Sequence, residues 1–289
     1  MIFRDSLRQR PGKRPGLAPA AFGACALVMV ANSPLHADEA SPWSQDLRSA
    51  ARLIAGSTPN AAENLRAGIE IKLQPGWKTY WRYPGDAGVP PRFDFSGSEN
   101  LRSATVLWPA PHLFTDEAGN SIGYKEAVVF PVHVTPQDAG KPVVLRLKID
   151  YAVCEKLCIP AEGRAALTLT GGASAHQAAI EAAEARVPKP VSVRDAGLSA
   201  RRVSGAPKPR VSVDLSVPDE KNVELFVEGP NAQWALPIPK PAQGAPAGHR
   251  HFGFELDGLP PGVDPMAPLE LTFTVVGGDR AIETTAHLD

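Results

Sequence analysis

Cys154 and Cys158, separated by Glu155-Lys156-Leu157, are the residues of this 289-residue chain best suited to chemistry. Two cysteines this close will pair if the compartment is oxidising. A bridge closing so short a loop removes little chain entropy from the unfolded state, so it stabilises the fold only weakly. The pair is therefore a candidate redox couple. The alternative is a local structural staple, and spacing alone leaves both readings open. Other cysteine chemistry fits less well. Haem attachment needs C-x-x-C-H, which is absent, and structural zinc needs four ligands where two thiols and no nearby His are on offer. Two thiolates suit Cu(I), but nothing else nearby has the character of a metal motif. The x3 spacing is also not the C-x-x-C of a thioredoxin site. No cofactor and no resident metal are expected.

The compartment is read from the N-terminus. Arg4, Arg8, Arg10, Lys13 and Arg14 precede an apolar run from Leu17 to Ala31, and small or helix-breaking residues follow to Ala37. This is the three-part pattern of a secretory signal peptide, with cleavage expected near Ala37. The apolar run is shorter than the ~20 residues that span a bilayer. Cleavage would remove Cys25, five basic residues and Asp5, taking the formal net charge from −1 to about −5. No later apolar run approaches spanning length. A bacterial periplasm, where thiols oxidise, is the expected location.

The elements around the pair are strands. Val143, Leu145, Leu147, Ile149, Tyr151 and Val153 alternate with more polar residues, the period of a strand with one buried face. A second strand is expected over 165–170, with Glu155–Leu157 as a hairpin tip that brings the cysteines face to face. Cys154 falls on the polar face and is expected to be reachable. Pro160 is expected to interrupt the ladder soon after Cys158.

Elsewhere the 30 prolines, about twice the usual share of ~5%, argue against a helical bundle, because proline removes a helix hydrogen bond. Near-zero net charge excludes a general nucleic-acid binder. At 43% hydrophobic residues, disorder along the whole chain is excluded. Strands are expected over 67–73, 93–95, 105–108 and 128–134, and again over 211–217, 223–227, 252–256, 269–276 and 282–287. Trp77, Tyr80 and Trp81 read as core packing rather than a ligand platform. Pro84–Pro91 and Pro237–Pro246 read as loops, and His249 and His251 as a solvated loop pair. Ser174-x-x-Gln177 has the form of a capping box opening a short helix over 176–186. The expected fold is all-β: two immunoglobulin-like sandwiches joined by a short helical linker. The expected divisions are a signal peptide (1–37), a redox domain (38–172), the linker (173–197) and a second sandwich (198–289).

Gly76-Trp77-Lys78-Thr79-Tyr80-Trp81-Arg82, Pro84-Gly85-Asp86-Ala87-Gly88 and Tyr151-Ala152-Val153-Cys154-Glu155-Lys156-Leu157-Cys158-Ile159-Pro160 resemble the periplasmic N-terminal region of the DsbD family. The likeness covers about residues 42–172 and is nearest to the ScsB branch, which is linked to copper tolerance. It implies an immunoglobulin-like domain with a redox cysteine pair, in which Cys158 forms the mixed disulfide and Cys154 resolves it. It also implies a shielding cap over about Leu113–Tyr124, with Phe114 and Tyr124 as the shielding aromatics. Implied partners are a thioredoxin-like electron donor, a membrane-embedded electron transporter and oxidised periplasmic client proteins. No thioredoxin-like or membrane-embedded segment is visible in the sequence, so donor and transporter are expected to be encoded separately. Lys156 would favour a thiolate, and Glu155, Asp116 and Glu117 would oppose it.

Overall fold

A computed structural model describes residues 12, 38–58, 64–86, 88–116, 119–203, 208–217, 222–278 and 280–289. The expected signal peptide, Gly12 apart, its cleavage point at Ala37, Cys25, and Glu117 of the expected cap lie outside these. Over residues 38–169 the chain forms β1 (Ser44–Gln45), β2 (Ser49–Gly56), β3 (Leu65–Leu73), β4 (Lys78–Gly85), β5 (Arg92–Asp94), β6 (Leu101–Val106), β7 (His112–Asp116), β8 (Gly119–Lys125), β9 (Ala127–Pro136), β10 (Val143–Cys154) and β11 (Cys158–Leu169). These make two antiparallel sheets, ordered β1-β2-β3-β9-β6 and β11-β10-β4-β8-β7, with β5 added on β10.

Strand alternation builds the core between the sheets. Val143, Leu145, Leu147, Ile149, Tyr151 and Val153 point inward and meet Ile69, Ile71, Phe130 and Val132 of the facing sheet. Phe93, Trp108 and Tyr124 ring Phe130 at centroid distances of 5.1–5.4 Å, in the tilted and edge-on geometries that aromatic quadrupoles favour. The chain passes from one sheet to the other through a turn at Gln74-Pro75-Gly76-Trp77. Pro75 supplies the fixed φ, Gly76 takes the positive φ of 87°, and Trp77 N–H donates to Gln74 O at 3.0 Å.

The rest of the chain forms α1 (Gln177–Ala185), β12 (Lys189–Pro190), α2 (Val193–Ala196), β13 (Leu198–Val203), β14 (Arg210–Ser216), β15 (Val223–Glu228), β16 (Lys240–Ala242), β17 (His249–Glu255), β18 (Leu269–Gly277) and β19 (Arg280–Leu288). Two further sheets, β12-β19-β18-β15 and β13-β14-β17-β16, enclose a second core built on Val213, Leu215, Leu271, Phe273 and Val275. The fold is all-β, in two sandwiches of immunoglobulin-like form.

Several local expectations are corrected. Pro160 does not interrupt the ladder: β11 pairs with β10 without a break from Cys158 to Leu169. The strand lies at the sheet edge, where an outward N–H is dispensable. Glu162 N–H and Arg164 N–H, on the same outward side, donate to the side chains of Asp46 and Ser44. The capping box does not form. Ser174 Oγ donates to Ala55 O and Gln177 Oε1 accepts from Ser57 N–H, so both side chains tie the linker to the end of β2 and the residue after it instead. The linker is packed: Ile180 of α1 is fully buried, and β12 adds in parallel to β19. A short strand, β16, interrupts the Pro237–Pro246 loop. His249 and His251 lie on β17 rather than in a loop, and both bond Asp214, at 2.9 and 2.6 Å. Burial alone would raise the Asp214 carboxyl, but these hydrogen bonds hold it below its ordinary value.

Gly123 of β8 tests the close packing of the sheet that carries the cysteines. A Cβ there would overlap the Thr79 carbonyl oxygen of β4. Gly123→Ala should destabilise the protein by about 1–3 kcal/mol, the cost of forced overpacking. A urea denaturation midpoint equal to wild type would show that β4 and β8 can separate at no cost.

Candidate functional site

The long β10–β11 hairpin delivers the cysteines to its tip. Cys154 and Cys158 are register partners, their Cα atoms are 4.2 Å apart, and they form a disulfide. The two sulfurs have different surroundings. Cys154 is 2% exposed, whereas Cys158, on the edge strand, is open to solvent. The expectation that Cys154 would be reachable is corrected, because the polar face of β10 is covered at this end. The cover is Tyr80, which packs with Ala152 and Cys154.

Tyr80 sits on β4, next to β10. Lys78 is the register partner of Cys154, and Thr79 Oγ1 donates to Ala152 O at 2.9 Å, fixing the strand at this end. Alternation then sends Trp81 into the core and Tyr80 to the cysteine face. The Tyr80 hydroxyl lies 2.7 Å from Cys154 Sγ and 3.1 Å from Cys158 Sγ. Disulfide sulfurs carry no proton, so the phenol is the donor to both. Burial, and then the charge of Asp116, raise the Tyr80 pKa above its ordinary value of 10.0. The hydroxyl therefore keeps its proton at neutral pH. Above the ring runs the loop after β4, at Gly88, so close that a Cβ would overlap the Tyr80 ring carbons.

The remaining wall is the β7–β8 hairpin, within the expected cap stretch. Asp116, at its tip, pairs with the buried Lys78 ammonium. Asn120 Nδ2 donates to Asp86 Oδ2 at 3.0 Å and Asp86 N–H donates to Asn120 O at 3.0 Å, so the hairpin is laced to the loop after β4. Lys78, Tyr80, Asp116, Ser121, Cys154 and Cys158 line a cleft of about 20 Å³, room for one water molecule. Ser121 Oγ, in a residue 4% exposed, has no hydrogen-bond partner among the described residues.

The two expected shielding aromatics part company. Tyr124 lies in the core against Phe130 and donates to Pro109 O at 2.7 Å, away from the cleft. Phe114, the register partner of Ser121, stacks on the Lys125 ammonium at 4.6 Å and does not line the cleft. The residue that touches the sulfurs is Tyr80. Its signal in the sequence was its parity: in Lys78-Thr79-Tyr80-Trp81 only one of the two adjacent aromatics can enter the core.

Residues 49–170 match a family model described as thiol:disulfide interchange protein DsbD, N-terminal. This segment is a DsbD N-terminal domain. Beyond it, a solved structure titled as the N-terminal periplasmic domain of ScsB from Proteus mirabilis matches with a TM-score of 0.68 at 20% identity. That match covers 86% of this chain and 98% of the other, so the shared fold includes both sandwiches. Zebrafish RET cadherin-like domains 1 to 4 match over 86% of this chain and 65% of theirs, at 9% identity and a TM-score of 0.18. A search of curated proteins gives no significant sequence match. In the DsbD N-terminal domain seen here, the cysteine pair sits where an edge strand meets solvent and a buried phenol meets sulfur.

Two outcomes are expected. In reduced protein, iodoacetamide should alkylate Cys158 at least about tenfold faster than Cys154, since only an accessible thiolate reacts. Equal labelling would contradict the burial of Cys154. Tyr80→Phe should slow reduction of the disulfide by dithiothreitol about tenfold, the worth of one hydrogen bond to a charged leaving sulfur. The ratio of wild-type to variant rates should stay constant from about pH 7 to 9, below the raised phenol pKa. A ratio that changes severalfold across that range would mean that the hydroxyl ionises there.

Proposed function

We propose that this chain is an exported thiol–disulfide exchange protein of the periplasm, passing reducing equivalents through Cys154 and Cys158. The observation that carries the reading is the asymmetry of the disulfide: one sulfur open at a sheet edge, the other buried beneath a hydroxyl that can stabilise it as a leaving group. The DsbD N-terminal match and the ScsB-like fold support it. The signal-peptide pattern supports export, with cleavage near Ala37, and no helix among the described residues is long and apolar enough to cross a membrane.

The chemistry is a two-electron exchange. A thiolate of a reduced, thioredoxin-like donor attacks Cys158 Sγ. The Cys154–Cys158 bond breaks, and Cys154 leaves as a thiolate that accepts a hydrogen bond from Tyr80. The donor's second thiolate then attacks its own sulfur in the mixed disulfide and releases Cys158. The donor ends oxidised and the pair ends as a dithiol, having taken up two protons. Running the same steps in reverse, with Cys158 attacking and Cys154 resolving, reduces an oxidised client. The donor's own electrons would come from a membrane-embedded transporter. Phe114 and the β7–β8 hairpin would limit approach from the side opposite the β10–β11 edge.

Trapping tests these roles. Cys154→Ala should accumulate a covalent adduct with a thioredoxin-like donor that lacks its own second cysteine and carries an activated disulfide at the first. Cys158→Ala should not. The reverse pattern would exchange the two roles. No adduct from either folded variant, together with a potential below about −300 mV, would identify the bridge as structural, in a binding or copper-tolerance module.

A further inference from the structure

The second sandwich touches the first along one strand face. In β15, Leu225 and Val227 enter the second core, so alternation turns Glu224, Phe226 and Glu228 outward. An outward face would ordinarily be solvated, yet Phe226 is 1% exposed and belongs to the core cluster of the first sandwich. Its ring meets Trp81 at 5.8 Å. Glu228 receives Arg82 Nε at 3.0 Å and Nη2 at 2.7 Å, and Glu283 of β19 receives the same guanidinium. The guanidinium also lies 4.4 Å from the Trp81 ring. Burial alone would lower the Arg82 pKa, but Glu228 and Glu283 outweigh it and hold the pKa above its ordinary value. Glu224 takes the Leu113 N–H of β7 at 3.0 Å. Tyr83 donates its hydroxyl to Leu236 O, and Ile238 packs against Gly85.

The contacts of Trp81, Arg82 and Tyr83 fall at an irregularity in β4. The β4–β8 ladder is regular from Lys78 to Tyr80, then shifts register and resumes at Gly85. Between those points β4 lacks its usual ladder partners on β8. Arg82, Trp81 and Tyr83 occupy that gap, and each is held by the second sandwich. Tyr80 is the last regular residue before it.

We infer that Arg82, clamped by Glu228 and Glu283 of the second sandwich, is a positioning residue that holds the Tyr80 hydroxyl against the Cys154–Cys158 disulfide. The second sandwich is thus the outer support of the exchange site, replacing the ladder that the irregularity in β4 removes. This deepens the proposed function by giving the second sandwich a role in it. The geometry it asserts is independent of which proteins exchange with the pair.

The test uses the full chain and dithiothreitol, a reductant too small to need docking. Arg82→Met keeps the aliphatic stem and removes both ion pairs. It should slow reduction of the disulfide about threefold in the wild-type background and add no further slowing in a Tyr80→Phe background, because residues acting through one contact are not additive. Arg66→Met, which removes the Arg66–Glu184 pair between β3 and α1, should lower thermal stability without changing the reduction rate. Should Arg82→Met fail to fold, Glu283→Gln keeps the Glu228 pair and should show the same non-additivity at smaller amplitude. An unchanged rate in the folded variant would overturn the inference, as would equal slowing with and without Tyr80, or equal slowing by Arg66→Met. Failure of every protein donor to form an adduct, with these dithiothreitol rates as expected, would remove the exchange function and leave the positioning role standing.

Discussion

A phenol taken out of water costs free energy unless its hydroxyl finds a partner. In this fold the Tyr80 hydroxyl finds the two sulfurs of the Cys154–Cys158 disulfide. That contact ties the cysteine pair to the middle of a sheet. It requires β4 to sit beside β10 in the register that sets Lys78 opposite Cys154, which the Thr79 bond to Ala152 O fixes. It requires Trp81 to take the opposite face, and a glycine at position 88 so that the next loop can lie on the ring. A one-residue slip of β4 would send Tyr80 into the core and Trp81 to the sulfurs.

The same contact explains why a hairpin bridge that adds little stability is placed at a sheet edge. The edge strand β11 leaves the Cys158 sulfur open, while β10, one strand further in, has Cys154 covered. A disulfide joining two interior strands would bury both sulfurs, and one in a loop would expose both. Straddling edge and interior makes the two sulfurs chemically distinct although the bond between them is symmetric. Part of the edge is blunted against pairing with other chains: the Asp46 and Ser44 side chains take the outward Glu162 and Arg164 N–H groups, and Pro160 offers none.

Much of this architecture is legible in the sequence. The alternation from Val143 to Val153 predicts β10 with its buried face, and the x3 spacing predicts a hairpin that joins the cysteines. Three features stayed hidden, each because a second element decides it. Pro160 argues against a ladder only if the strand is interior, and position within a sheet is a tertiary fact. Cys154 reads as polar-faced by alternation, but its burial depends on Tyr80, 74 residues away. Tyr124 and Phe114 both fall in the cap stretch. Only the pairing of β8 with β4 puts Tyr124 on the core side, as the partner of Thr79. The Glu-Phe-Glu outer face of β15 was a local anomaly. An apolar residue between two acids on a solvent face signals a docking surface, though not what docks there.

Charge near the pair is arranged so that the hydroxyl decides. Lys78, directly across from Cys154, would by itself favour a Cys154 thiolate. Its ammonium is instead paired with Asp116, so the two charges largely cancel at the sulfur. Glu155 and Lys156, exposed at the hairpin tip, have opposite signs and are screened by solvent. If Cys154 leaves as a thiolate, the neutral donor 2.7 Å from its sulfur is placed to stabilise it. The cost is geometric. A point charge acts over several ångströms, whereas a hydrogen bond weakens steeply with distance and angle. A site that relies on Tyr80 therefore needs β4 held rigidly just beyond it, at the place where its own sheet loses register and the second sandwich takes over.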